Sequence, residues 1–291
     1  MLFVGSCFAD SIGQRFLEEQ FPVTVNPYGV MYNPASILHT VQRFCDSFSH
    51  SLNFSFSHSL NFKFPRIVFL TLGTNHVYRL KETGEIVDNC QKRPASLFQE
   101  EQLTVDECTD YLCRTIDLLR SHRPDVHIVL TVSPIRYRKY GYHESQLSKA
   151  TLLLATNQLQ TSKFLDEPSG EAEHKVQSSK FKFQTSNFKL QTSKFSYFPA
   201  YEIVLDELRD YRFYKEDMLH PSAQAVEYIW QQLVDHYFSP AAQQYLREWA
   251  PLKAALNHRP FNPDSDEYRT FLEQTNAKVD AFLQRWYKDK L

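Results

Sequence analysis

The sequence lacks the features that mark membrane-spanning and nucleic-acid-binding proteins. Its 291 residues contain no apolar run as long as a membrane helix, which needs roughly 20 residues. The opening segment MLFVGSCFAD has no charged region ahead of an apolar core, as a signal peptide would. A net charge of -2 gives no basic field that would attract nucleic acid or an anionic membrane. We therefore expect a cytoplasmic protein with no nucleic-acid partner and no membrane association.

Cysteine is also scarce, and its spacing excludes two common uses. The five cysteines form no Cys-x-x-Cys pair and no Cys/His spacing typical of structural zinc. The sequence thus predicts reduced thiols, no disulfide framework and no metal site. The remaining composition, 42% hydrophobic and 23% charged with 14 prolines and 7 glycines, is that of a globular protein.

Two segments with internal repeats interrupt the chain. SFSHSLNF recurs within residues 46–64, and the unit Thr-Ser-x-Phe with an interleaved lysine recurs within residues 161–195. Alternating polar and aromatic residues could form a strand pair, but copied low-complexity segments are more often loose. We predict two surface insertions without catalytic residues.

The rest of the chain alternates strand and helix signals. Short apolar or β-branched runs predict strands at 2–6, 22–26, 66–73, 127–135 and 201–208. Apolar residues at helical spacing predict helices at 9–20, 35–44, 104–121, 144–158 and 222–237. This alternation is typical of an α/β protein, a three-layer α/β/α sandwich with a mostly parallel sheet. We expect one domain over residues 1–240, and a helical extension at 241–291 packed on the same core.

Reactive groups in such a sheet gather at the carboxyl ends of the strands, and the first strand ends in Gly5-Ser6-Cys7. The glycine allows a sharp turn, and backbone N–H groups at the start of the next helix would favour a thiolate or an oxyanion. The alternative is structural: Ser6 caps the helix, and Cys7 is a small buried apolar residue.

Three later segments carry further polar groups at strand ends. Gly73-Thr74-Asn75 offers amide donors to a developing oxyanion, although Gly and Asn are also ordinary turn residues. Asp217 precedes His220 by one helical turn and can orient its imidazole, unless this is a surface loop with a capping histidine. Arg136 could bind an acyl or sugar oxygen or form a structural ion pair, and Asn89 offers another amide.

Six segments of the chain together resemble one family. They are GSCFADSIG at 5–13, NPYGVMYNPASI at 26–37, VDNCQKRP at 87–94, SPIRY at 133–137, SKATLLLA at 148–155 and the long segment at 197–222. These closely resemble the GSCFA-domain family, which looks like a branch of the SGNH/GDSL hydrolase superfamily. The resemblance implies a flavodoxin-like sheet with an acyl-transfer site. In its register the nucleophile block falls on Gly5-Ser6-Cys7, a glycine block on Gly29, the Gly-x-Asn block on Gly73 and Asn75, and the Asp-x-x-His block on Asp217 and His220.

The resemblance also implies a reaction, with one departure from the superfamily pattern. Cys7 stands where the serine nucleophile is expected, so either Cys7 attacks, which we favour, or Ser6 does after a shift of one residue. His220 would be the base and Asp217 its orienting carboxylate, and no cofactor is needed. We expect a hydrolase of small-molecule or carbohydrate esters. The alternatives are an acyltransferase, a non-catalytic glycan- or acyl-binding relative, and a metal hydrolase with Cys7, Asp217 and His220 as ligands.

Overall fold

The computed structural model describes residues 1–53, 63–90, 93–161 and 194–287. Its strands are β1 Leu2–Gly5, β2 Thr24–Val25, β3 Ile67–Leu72, β4 His76–Leu80, β5 Ile86–Val87, β6 Phe98–Gln102, β7 His127–Val132 and β8 Phe195–Tyr197. Its helices are α1 Cys7–Glu18, α2 Pro34–Asn53, α3 Val105–His122, α4 Gly141–Thr161, α5 Ala200–Glu202, α6 Ala223–Tyr237, α7 Pro240–Leu256 and α8 Asp266–Tyr287.

Five strands form a parallel sheet in the order β2-β1-β3-β7-β8, which is the flavodoxin-like order. Successive side chains of a strand point to opposite faces. Leu2 and Val4 therefore pack in the cluster that contains the buried residues of α2 and α3, whereas Phe3 packs with α1 and α6. Helices cover both faces, so the predicted three-layer α/β/α sandwich with a mostly parallel sheet is confirmed.

The strand predicted at 201–208 is wrong. The chain there is helical, because α5 continues into one turn of π-helix over Ile203–Glu207. The fifth strand of the sheet is β8, which precedes it. Val204 and Leu208 are buried in the cluster shared with α1 and α6. A short apolar run of this length has no periodicity that separates a buried strand from a buried helical turn.

The first repeat-rich segment, predicted as an insertion over residues 46–64, overlaps the end of helix α2. Helix α2 continues to Asn53, because the apolar spacing that buries Phe44 extends to Phe48, which packs against the same core. Residues 54–62, and residues 162–193 of the second insertion, lie outside the described part of the chain. The character of those segments stays a prediction.

A three-stranded antiparallel sheet in the order β5-β4-β6 is an addition that the sequence patterns do not predict. It starts directly after the Gly73-Thr74-Asn75 turn, with His76 opposite Gln102 and Leu80 opposite Phe98. Its strands are short, and most of β6 is charged or polar, so the apolar alternation of a half-buried strand is missing.

The two C-terminal helices pack together and against the end of α1. Trp249 of α7 is 1% exposed and donates from Nε1 to Glu18 O over 3.3 Å. Tyr245 Oη donates to Glu19 O over 3.0 Å, and Phe282 of α8 lies in the same apolar cluster. The helices thus contact the α/β unit, while a domain boundary at residue 240 stays a prediction. Among the described residues, no helix combines the length and apolar character needed to cross a membrane.

Candidate functional site

Strands β1, β3 and β7 are neighbours, so the turns at their carboxyl ends share one edge of the sheet. A Cβ at Gly5 would lie 2.2 Å from Thr71 O of β3, and Gly5 has a φ of +148°. The Gly5 N–H donates to Asn26 Oδ1 over 2.8 Å, and its carbonyl accepts from Met31 N over 2.9 Å. Only glycine fits this position, and the loop after β2 is thereby held against the turn that follows β1.

Ser6 and Cys7 differ in their surroundings at the start of α1. Ser6 is the N-cap residue; it is fully buried, and its Oγ accepts the Phe8 N–H over 3.3 Å. Cys7 is the first residue of the helix and is partly exposed. The N–H groups of a first helical turn have no partner within the helix, and the helix dipole is positive there. Cys7 is thus at the positive end of the helix dipole of α1.

The polar partner of the Cys7 thiol is Tyr32. Cys7 Sγ and Tyr32 Oη lie 3.7 Å apart. Burial, and then the hydrogen bond to Cys7, raise the pKa of Tyr32, so the phenol keeps its proton. The Tyr32 ring meets the Tyr137 ring edge-on, with centroids 5.6 Å apart. Among the described residues no hydrogen bond joins Cys7 to His220, whose Nδ1 is bonded to Asp217.

The side chains and amides predicted to bind an oxyanion after β3 already have partners. The Gly73 N–H donates to Tyr32 O over 2.7 Å, and Asn75 Nδ2 donates to Leu103 O over 2.7 Å. Asn75 Oδ1 is buried and has no hydrogen-bond partner among the described residues. A role in oxyanion binding would require Gly73 and Asn75 to exchange these bonds for bonds to a substrate.

Asp217 and His220 form a close pair on the turn before α6. His220 Nδ1 lies 2.6 Å from Asp217 Oδ2, and Asp217 Oδ1 accepts the His220 and Leu219 N–H groups over 3.0 and 2.8 Å. These backbone N–H groups, and then the imidazole, hold the pKa of Asp217 well below its usual range. An ionised carboxylate on Nδ1 selects the tautomer with the proton there, which leaves Nε2 as an acceptor.

Arg136 links this turn to the segment that follows β7. Its backbone N–H donates to Leu219 O over 3.3 Å. Its guanidinium lies over the Tyr214 ring, 4.1 Å from the centroid, and Nη2 donates to Tyr214 Oη over 2.8 Å. The structure thus places Arg136 beside the Asp217–His220 pair, while its predicted contact with substrate stays a prediction.

Gly29 and Asn89 are both exposed. Gly29 has a φ of +93°, and its N–H donates to Asn26 O over 2.9 Å. Asn89 follows β5, and the preceding Asp88 carboxylate accepts a hydrogen bond from Arg43 of α2 over 2.7 Å. The structure therefore places Asn89 beside α2, whereas Gly29 lies in the loop that is bonded to Gly5.

Lys149 of α4 is a residue of this edge that the sequence patterns do not single out. It is 2% exposed, and Nζ donates to Gly73 O over 2.6 Å and to Ser133 O over 2.7 Å. Burial lowers the pKa of Lys149 to about 7. The sequence signal that could have indicated its burial is its position three residues before Leu152, on the apolar face of the predicted helix. Tyr32 and Tyr137 were likewise missed, although both lie inside the segments that carry the family resemblance.

Fold and site together define an α/β/α protein with a thiol, an Asp–His pair and a buried lysine at one edge of a parallel sheet. Among the described residues, no group of three or more His, Cys, Asp or Glu side chains is placed to hold a metal ion. A model of the GSCFA family matches residues 1–64 and 56–233, and a model of the C-terminal domain of GSCFA domain proteins matches residues 249–288. The chain belongs to the GSCFA family, as its motifs predict.

No curated protein matches the chain. A solved structure described as the crystal structure of an acetyl esterase mutant with acetate ion is similar at 10% identity with a TM-score of 0.39, over 85% of this chain and 97% of that chain. A likeness at this level carries no argument about activity, and the relation to the SGNH superfamily stays a prediction.

Proposed function

We propose that this protein hydrolyses ester or acyl groups, with Cys7 as the nucleophile, His220 as the general base and Asp217 as the carboxylate that orients the imidazole. The observation that carries the proposal is the Asp217–His220 pair. Its 2.6 Å contact and the two backbone N–H groups on Asp217 give the geometry of a catalytic carboxylate and histidine. The pair lies on a turn that is bonded to the segment after β7. Cys7 follows β1, which is separated from β7 by β3, so both lie at the carboxyl edge of the same sheet.

The reaction proceeds in two half-reactions. His220 Nε2 removes the thiol proton as Cys7 Sγ attacks the acyl carbonyl, whose oxygen takes the negative charge. Collapse expels the alcohol, which receives the proton from His220, and leaves a thioester on Cys7. Water, deprotonated by His220, then cleaves the thioester to a carboxylic acid and restores the thiol. An acceptor alcohol in place of water would instead give acyl transfer.

The different burial of Ser6 and Cys7 supports Cys7 as the nucleophile. The Ser6 hydroxyl is fully buried and caps the helix, whereas Cys7 is partly exposed. The Cys7 N–H is in the first turn of α1, and it would donate to the oxyanion. A superfamily relation would make small-molecule or carbohydrate esters the substrates, with Arg136 and Gly29 among the groups at the mouth of the site.

A second candidate, a non-catalytic protein that binds an acyl group or glycan, is favoured by the engaged donors. The Gly73 N–H and Asn75 Nδ2 are both bonded within the protein, and an oxyanion site is normally preorganised. In this case the same edge would hold a ligand without turnover.

Hydrolysis of p-nitrophenyl acetate by purified wild type, Cys7→Ala and Ser6→Ala tests the proposal. Cys7→Ala should abolish turnover. Ser6→Ala should retain it while lowering the free energy of unfolding by about 1 kcal/mol, because a helix N-cap is lost. Turnover that survives Cys7→Ala would refute the proposed nucleophile. No turnover by wild type, together with measurable binding of an O-acetylated monosaccharide, would instead support the binding protein.

A further inference from the structure

The first half of α4 has a buried polar face, which is unusual for a helix packed on a sheet. Ser145, Ser148 and Lys149 are all buried, at 5%, 4% and 2% exposure. Their spacing of three and four residues puts them on one side of the helix. Farther along the same side the buried residues Leu152 and Ala155 are apolar. Because buried polar side chains need hydrogen-bond partners, the polar part of this face is expected to contact backbone groups.

Each of these polar side chains bonds a turn at the carboxyl edge of the sheet. Ser148 Oγ accepts the Asn75 N–H over 2.9 Å, and Ser145 Oγ accepts the Tyr137 N–H over 3.2 Å. Lys149 alone contacts two turns at once, since it donates to the carbonyls of Gly73 and Ser133.

Gly73 and Ser133 are each connected, through further hydrogen bonds, to one part of the candidate site: Gly73 to the surroundings of Cys7, and Ser133 to the turn that carries His220. On one side the Gly73 N–H donates to Tyr32 O, and Tyr32 Oη lies 3.7 Å from Cys7 Sγ. On the other side the segment after Ser133 reaches Arg136, whose N–H donates to the residue before His220.

We propose that Lys149 is a positioning residue whose amino group ties the turn after β3 to the turn after β7 and so holds Cys7 and His220 in register. This inference rests on the proposed function, because it assigns Lys149 to the same thiol and imidazole. Lys149 acts through the backbone and touches no reacting atom. Burying a charged amino group costs free energy. The bonds from Lys149 Nζ to the Gly73 and Ser133 carbonyls, at the ends of adjacent strands, offset part of this cost.

The test measures the alkylation rate of Cys7 by iodoacetamide between pH 5.5 and 8.5. Trypsin releases residues 1–15 as one peptide, in which Cys7 is the only cysteine, so mass spectrometry reads this thiol separately from the other four. The variants are His220→Ala, Lys149→Met and, as a control for lost packing in the same helix, Leu152→Ala. Lys149→Gln, which keeps an N–H donor, replaces Lys149→Met if the latter does not fold. Circular dichroism confirms that each variant is folded.

We expect His220→Ala and Lys149→Met each to slow alkylation at pH 6.5 by about tenfold or more, because the proposed base for the thiol proton is removed in the first variant and displaced in the second. Leu152→Ala should keep the wild-type pH profile. If His220→Ala slows alkylation but Lys149→Met does not, the positioning role is overturned and the proposed function stands. The same holds for Lys149→Gln where it is used, because its amide is uncharged and one bond shorter than lysine and would not bridge both carbonyls. Equal slowing by Leu152→Ala overturns it as well, since any loss of packing would then suffice. If His220→Ala has no effect, the thiol–imidazole pair itself is refuted, and both proposals fall.

Discussion

Burial of Lys149 should make the stability of this protein rise with pH in a range where most proteins are insensitive. In the unfolded chain the amino group titrates at the ordinary lysine value of 10.5, and in the folded protein its pKa is lowered to about 7. Between these values the unfolded state binds more protons than the folded state, so the free energy of unfolding increases with pH. Below about pH 7 both states are protonated, and the full cost of the buried charge is present.

The size of the effect follows from the same two values. At about 1.4 kcal/mol for each pH unit, the interval from about 7 to 10.5 corresponds to about 5 kcal/mol. Bonds to the Gly73 and Ser133 carbonyls favour the ammonium form, so this figure is an upper value. From pH 6 to pH 9.5 the stability of wild type should therefore rise by up to about 3 kcal/mol relative to Lys149→Met.

Urea denaturation at pH 6, 7, 8, 9 and 9.5, followed by circular dichroism, measures this difference. Lys81→Met is the matched control, because Lys81 Nζ also donates to a carbonyl, that of Ser96 over 2.9 Å, but is exposed. The control should run parallel to wild type, and Lys149→Met should lack the rise. If the free energy of unfolding changes with pH in the same way for wild type and Lys149→Met, the reasoning is refuted. The Lys149 amine would then have the same pKa in the folded and unfolded states.

Three further substitutions probe the turns of the site. Gly5→Ala should lower the free energy of unfolding by more than about 4 kcal/mol or prevent folding, because the new Cβ would clash with Thr71 O. The control is Gly84→Ala, at a φ of +72° with open space around it. In urea denaturation it should lower the free energy of unfolding by only about 1–2 kcal/mol. Asp217→Asn should lower turnover by about a hundredfold or more, because the imidazole loses its orienting anion; unchanged kcat for p-nitrophenyl acetate would contradict this. Tyr137→Phe should raise the free energy of unfolding by about 1 kcal/mol, because it removes a buried hydroxyl with no partner among the described residues. A loss of stability would contradict that account.

The sequence predicts the parts of this fold in which local pattern and burial agree. The runs at β3 and β7 are mostly apolar and show no polar alternation, because both faces of these strands are covered. Ser222 and Pro221 mark the start of α6, where Ser222 is the observed N-cap. The strand prediction at 201–208 is wrong because the apolar residues there fit a strand and a helical turn equally well. Only the packing against α6 decides between the two.

The site was predictable only where a motif contains its own partners. Asp217 and His220 lie within one turn, so their contact is local and follows from their spacing. The contact of Lys149 with Gly73 and Ser133 joins residues 76 and 16 positions apart. No local pattern encodes it, since a lysine on a helix is ordinarily exposed.

The proposed role of Cys7 is consistent with the different positions of Ser6 and Cys7 at the start of α1. A helix that starts directly after a buried strand needs a side chain to accept its first N–H groups, and Ser6 supplies its hydroxyl for this purpose. A hydroxyl that accepts such a bond at a buried position cannot also approach a substrate. Cys7 lies one residue later, at the partly exposed first position of α1 and close to the positive end of the helix dipole. If Cys7 is the nucleophile, as we propose, the capping residue and the nucleophile are separate side chains, so a thiol can take the attacking role without loss of the helix start.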